Sequence, residues 1–73
     1  MSKLPQLSGR ECISVLIKAG FLIERQKGSH VILRRENPYA KVVVPDHKVI
    51  DKGTLRAIIR QAEMTVDEFI ALL

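Results

Sequence analysis

The sequence is short of most things that specialised chemistry or architecture requires. It has one cysteine, Cys12, so no intramolecular disulfide can form and no cysteine-rich metal site exists. One tyrosine, two phenylalanines and no tryptophan are too few for the aromatic platform on which some RNA-binding sheets stack bases. Four glycines and three prolines leave no linker or low-complexity stretch. No apolar run approaches membrane-spanning length, and Met1-Ser2-Lys3-Leu4-Pro5-Gln6 lacks the hydrophobic stretch of a signal peptide, so a cytoplasmic location without membrane contact is expected. Also missing are a Gly-rich phosphate loop, Gly-x-Ser-x-Gly, His-Glu-x-x-His and any zinc-finger spacing. No cofactor is expected.

What is present is a chain of 73 residues, 47% hydrophobic and 27% charged, the balance of a folded rather than a disordered protein. One domain over residues 1–73 is expected. A chain this short buries only about 60% of the surface its unfolded form exposes, so its core is thin. There is little material for a deep metabolite pocket, and a substrate should lie across the surface. Twelve Lys and Arg stand against eight Asp and Glu, a formal charge of +4. That excess favours anionic partners, nucleic acid first and a membrane surface or acidic protein after it.

Ser8-Gly9-Arg10-Glu11 is a capping box, and Cys12, Val15, Leu16 and Ala19 follow at helical spacing until Gly20 stops the chain. A helix is predicted from Ser8 to Ala19. Phe21 to Gln26 and His30 to Glu36 are strand-like, and Gly28-Ser29 between them is the signature of a type II′ hairpin turn pairing Lys27 with His30. Asn37-Pro38 breaks the chain before a third strand from Lys41 to Val44, closed by Pro45.

From Asp51, a candidate cap, Leu55, Ile58, Ile59 and Ala62 form a second helical stripe. Thr65-Val66-Asp67-Glu68 opens a short last helix whose apolar side is Val66, Phe69, Ile70 and Leu73. The predicted order is α-β-β-β-α-α: an α+β fold with a three-stranded antiparallel sheet and helices gathered on one face. Strand alternation groups His30 with Ile32 and Arg34, opposite Val31 and Leu33. The Val31–Leu33 side is expected to face the core, which turns His30 outward.

His30 is the first candidate for chemistry. Histidine is the one side chain whose ordinary pKa, about 6.5, lets it take and give a proton near neutrality. Cleavage of RNA by its own 2′-hydroxyl needs a base, an acid and cations to offset charge on the phosphate oxygens. Lys27, Arg34 and Arg35 lie near His30 on the hairpin. Taken alone, a histidine opening a strand is more often a half-exposed polar residue, and Gly-Ser before it serves the turn.

His47, in Val44-Pro45-Asp46-His47, is a second acid or base or an RNA contact, or simply an exposed residue before a helix. A metal site of His30, His47 and Asp46 lacks a recognised ligand spacing. Lys52, Arg56 and Arg60 recur every four residues along the second helix, lined up to track a phosphate backbone or merely solvated. Arg10 and Lys18 invite the same two readings. Cys12 lies in the apolar phase of its helix and reads as a core thiol. Phe21 and Phe69 read as core, Tyr39 as exposed. A helix-turn-helix over Thr54 to Leu73 fails on charge, because its recognition helix carries Asp67 and Glu68 and no cation.

Taken in order, these segments resemble the HicA toxins of toxin–antitoxin pairs. The resemblance runs from Lys18-Ala19-Gly20-Phe21 through Gly28-Ser29-His30, Val44-Pro45-x-His47 and Lys52-Gly53-Thr54-Leu55-Arg56-x-Ile58 to Glu68-Phe69-x-x-Leu72-Leu73. It implies a fold like that of double-stranded-RNA-binding domains and a metal-independent endoribonuclease acting on mRNA. It also implies His30 as the catalytic residue and a HicB-type antitoxin as protein partner. Lys27, Ser29, Arg34, Arg35, His47, Lys52, Arg56 and Arg60 are then the expected RNA contacts. One departure is Glu63-Met64, where a Gly and an aliphatic residue often end the helix; it touches the cap and not the site.

Overall fold

Ser8 caps α1 (Gly9–Lys18) as its capping box dictates. Its backbone N–H donates to Glu11 Oε1 at 2.9 Å, and the Glu11 N–H donates back to Ser8 Oγ at 3.1 Å. The structure, a computed structural model, describes residues 3–73. Met1 and Ser2, where the segment read for a leader begins, lie outside the described residues. The element order is α1, β1 (Leu22–Lys27), β2 (His30–Arg35), β3 (Ala40–Pro45), α2 (Lys52–Gln61) and α3 (Val66–Ala71). The sheet is antiparallel in the order β1-β2-β3. This is the α+β arrangement the sequence pattern predicts.

The helix ends decide where the strands start. Gly20, at φ +100°, closes α1: its N–H donates to the Ile17 carbonyl and the Phe21 N–H to the Leu16 carbonyl, both at 3.0 Å. Phe21 is therefore fully buried as the closing residue of that turn, and β1 begins one residue later than the β-formers alone suggest. The same motif closes α2, with Glu63 N–H to the Arg60 carbonyl at 3.0 Å and Met64 N–H to the Ile59 carbonyl at 3.1 Å. Here the left-handed position, φ +58°, falls on Glu63. A Cβ in that region costs roughly 1–2 kcal/mol, less the extra unfolded-state entropy that glycine brings. Glu63→Gly is accordingly expected to stabilise the fold by about 0.5–1 kcal/mol, read as a rise in the urea midpoint at constant slope. A fall in the midpoint would contradict the account.

All helices pack on one face of the sheet. That face carries Val31, Leu33, Ala40, Val42 and Val44, buried against Cys12, Val15 and Leu16 of α1 and Leu55, Ile58 and Ile59 of α2. Phe69 of α3 completes this core, while Val66 and Ile70 are half-buried. Leu73, grouped with them by periodicity, lies beyond the helix end and is exposed.

Four core residues come from outside the predicted elements, one of them Ala40, where β3 begins a residue before the predicted strand. Leu4, Leu7 and Ile50 are buried, and the Ile50 N–H donates to the Leu7 carbonyl at 2.8 Å, clasping the leading segment to the loop before α2. Cys12 is wholly enclosed, and burial pushes its thiol pKa up to about 12. At neutral pH it stays protonated and out of reach. We expect no reaction with a thiol-specific disulfide reagent in the native protein and full reaction in guanidinium chloride. Rapid native labelling would contradict the packing.

Candidate functional site

The hairpin turn between β1 and β2 is built as its sequence requires. Gly28 has φ +60° while Ser29 does not enter the positive region, the pattern of a type II′ turn. Lys27 and His30 are consequently paired across the first two strands, and His30 faces Pro45 on the other side. Directly paired residues share a sheet face with Cβ atoms about 5 Å apart. Lys27 and His30 thus stand side by side on the face away from the helices, both exposed. Val31 and Leu33 are buried, which turns His30 outward as the apolar count predicts.

Backbone hydrogen bonds gather the rest of this end of the molecule. The Asp46 N–H donates to the Ser29 carbonyl at 2.6 Å, fastening the hairpin turn to the segment leaving β3. The Gly9 N–H donates to the His47 carbonyl at 2.8 Å, fastening that segment to the start of α1. Asp46 adds its carboxylate to this positive helix end and pairs with Arg10 at 3.5 Å. Gly9 is there because nothing larger fits: a Cβ on it would overlap the Pro45 carbonyl oxygen. Sequence reasoning took Gly9 as part of a capping box and missed this junction. The signal that was available is a glycine at the first helical position, where a better helix former is normally favoured.

His30 and His47 are both exposed, and neither imidazole has a hydrogen-bond or ion-pair partner among the described residues. Among the described residues no three His, Cys, Asp or Glu side chains come together as a metal-binding group.

Of the cations expected at the site, the structure brings Lys27 and Lys52 to the same end as His30. Lys52 opens α2, behind an Asp51 cap whose carboxylate accepts from Thr54 Oγ1 at 2.6 Å and Thr54 N–H at 3.1 Å. Those bonds, the side-chain one first, hold the Asp51 carboxyl below the usual aspartate range. Arg56 and Arg60 continue the exposed side of α2 away from that end, Arg60 lying ~12 Å along the axis from Lys52. Because α2 covers the opposite side of the sheet, this stripe and His30 lie on different faces. A ligand touching both must turn around the His47 edge.

Arg34 and Arg35 are placed elsewhere. Arg34 is on the His30 face two rows away, 3.6 Å from Glu24, which also pairs with Lys41 at 3.4 Å. Arg35 is on the helix side at the far end of β2. Its guanidinium lies 4.7 Å from the centre of the Phe21 ring and donates to the Pro38 carbonyl at 3.1 Å and the Ala62 carbonyl at 3.4 Å. It closes the C-terminal end of α2 and shields the core.

The groove nearest the site, between α1 and β1, is lined by Arg10, Ile13, Ile23, Gln26, Val31 and Asp46 and holds about 180 Å³. Small-molecule sites start near ~300 Å³, so this arrangement suits a ligand lying on the surface.

An exposed histidine beside a lysine stands at the end of an open sheet on a small basic α+β body. A family model for the HicA toxin of bacterial toxin–antitoxin systems matches residues 9–64, and the chain belongs to that family. No curated protein gives a significant sequence match. Membership makes the chain the toxin half of a pair and implies an antitoxin partner. Among the described residues no helix is long and apolar enough to cross a membrane.

Proposed function

We propose that this protein is a cytoplasmic, metal-independent endoribonuclease that cleaves mRNA, with His30 as its proton-transfer residue and a HicB-type antitoxin as its inhibitor. The observation that carries the reading is His30 itself. It is exposed, unpartnered and held on both sides by strand pairing beside Lys27, in a chain of a toxin family. A free imidazole near neutrality can take the proton of a 2′-hydroxyl as it attacks the adjacent phosphate, or return one to the departing 5′-oxygen. The products are a 2′,3′-cyclic phosphate and a 5′-hydroxyl. His47, pinned to the same end through its backbone, is the candidate for the complementary transfer. Lys27 supplies a cation for the phosphate oxygens, and the Ser29 hydroxyl a hydrogen bond.

Lys52 supports an RNA path continuing from this end onto α2. The first turn of α2 has this lysine and no acidic residue, the reverse of what the helix dipole favours. Helix stability does not account for it, whereas a phosphate ligand would. Lys52→Glu is expected to leave thermal stability unchanged or raised while weakening binding of a fluorescent single-stranded RNA, with a shallower salt dependence. Loss of stability with unchanged RNA affinity would remove Lys52 from the path. Arg56 and Arg60 extend this path, while Arg34 and Arg35 contribute positive potential from positions engaged by Glu24 and by the fold.

Cleavage of a labelled transcript by purified protein, followed with and without excess EDTA, tests the reaction class. Undiminished cutting in chelator is expected. Activity that disappears and returns with a divalent ion would refute the metal-independent route. RNA binding without any cutting would leave a non-catalytic RNA-binding module of the same fold.

A further inference from the structure

Four cations stand on the sheet face turned away from the helices: Arg25 and Lys27 on β1, Arg34 on β2 and Lys41 on β3. The Glu24 carboxylate holds two of them, Arg34 at 3.6 Å and Lys41 at 3.4 Å. Arg25 and Lys27 are exposed, and neither side chain has a hydrogen-bond or ion-pair partner among the described residues. Lys27 is paired with His30. Arg25 lies one row further, ~6.8 Å along β1 from Lys27 and ~7–8 Å diagonally from His30.

A bulge in β1 assembles this set. Ile23 pairs with Leu33 and Arg25 with Ile32, so Glu24 is an extra residue and stands with Arg25 opposite Ile32 alone. Strict alternation from Ile23, which shares the helix side with Leu33, would send Arg25 and Lys27 to that side as well. The extra residue resets the phase. It brings both cations onto the face of His30 and leaves the Glu24 carboxylate within reach of Arg34 and Lys41.

We propose that Arg25 is a phosphate contact that holds the RNA on the side of His30 opposite Lys52, and that Glu24 ends the path there; the inference rests on the ribonuclease reading. Cutting inside a strand requires nucleotides held on both sides of the scissile phosphate. The path toward Lys52 leaves His30 on its β3 side, around the His47 edge. Arg25 stands on the β1 side, so the two cations bracket the histidine. An unpaired guanidinium offers its donors to phosphate oxygens without first breaking an ion pair, which Arg34 and Lys41 cannot do. Glu24 lowers the positive potential at the Arg34 end, and attraction for a strand falls off past Arg25.

The test is binding of a fluorescent single-stranded RNA to the full-length protein across a salt series. Its riboses are 2′-O-methylated, so it lacks the attacking hydroxyl and stays intact. Arg25→Gln is expected to weaken affinity by about 10-fold and to make the salt slope shallower by about 0.7, the signature of one lost phosphate contact. Arg34→Gln removes the same charge from the same face and should cost less than about threefold, its guanidinium being engaged by Glu24. Glu24→Gln frees Arg34 and Lys41 and is expected to tighten binding by at least ~3-fold with a steeper slope. Thermal melts establish that each variant is folded, and Arg25→Gln, at an exposed and unpaired position, decides the matter if Glu24→Gln does not fold.

Equal losses from Arg25→Gln and Arg34→Gln overturn the inference, because they report charge and not a contact. So does unchanged or weaker binding by a folded Glu24→Gln protein. A parent protein that binds no RNA overturns the ribonuclease reading and the inference together. A parent that cuts RNA while Arg25→Gln binds it normally overturns the inference alone. Weakened binding by Arg25→Gln in a chain that never cuts RNA upholds the phosphate contact and rejects the nuclease.

Discussion

Replacing His30 with alanine is expected to lower RNA cleavage by roughly 10²–10⁴-fold, the usual contribution of a positioned acid or base, and to abolish growth arrest on expression. The fold should not register the change. His30 is exposed and its imidazole has no partner among the described residues, so a shift within about ±0.5 kcal/mol is expected from its removal. The pairing of β2 with both neighbours runs through the backbone and survives. Cleavage of a labelled transcript and a thermal melt on the same preparation separate the two effects. Full activity in a folded His30→Ala protein would end the catalytic assignment. Lost activity with a collapsed melt would show that the residue is structural, against its exposure.

Gly9→Ala carries the largest expected effect on stability, and its sign is contested by two physical terms. Helix propensity favours alanine over glycine by up to about 1 kcal/mol. Against it, the new Cβ would overlap the Pro45 carbonyl oxygen, a backbone atom held in place by the β2–β3 pairing and by the Asp46–Ser29 hydrogen bond. Overpacking of this kind costs about 1–3 kcal/mol, so the net change is expected to be destabilising. For a domain of this size each kcal/mol moves the melting temperature by about 4–8 °C, a readily measured fall. The displaced backbone carries His47, so cleavage should drop as well, in proportion to the role of that end in catalysis. A Gly9→Ala protein more stable than the parent would mean that α1 does not sit against the β3 exit as described.

Much of the architecture was legible because its signals are local. Ser8 with Glu11 and Thr65 with Glu68 are three residues apart, and each pair forms the capping bonds its spacing implies. The Leu55, Ile58, Ile59 and Ala62 stripe is buried throughout, as a 3.6-residue period facing one core requires. Glu63 was legible only in part. It marks a departure at the helix end, but its left-handed backbone emerges only with the carbonyls of Ile59 and Arg60 in place.

The candidate site divides along the same line. His30 and Lys27 could be paired from Gly28-Ser29 alone, because a two-residue turn fixes the register of its flanking strands. Strand alternation already puts Arg34 with His30 and Arg35 on the other face, but what waits for each of them there could not be read from the sequence. Opposite faces give them different surroundings, a carboxylate on one side and Phe21 with two carbonyls on the other.

By itself the sequence determined the helices and their caps, the hairpin that pairs Lys27 with His30, and the family to which the chain belongs. Each depends on residues close in the chain or on an ordered set of them. Only the tertiary structure decided that Ser29 meets Asp46, that Gly9 admits the Pro45–His47 backbone, and that Leu4, Leu7 and Ile50 complete the core. It also decided which sheet face remains open. Those contacts join segments distant in sequence, and their geometry follows from how helices and sheet pack, which no local spacing encodes.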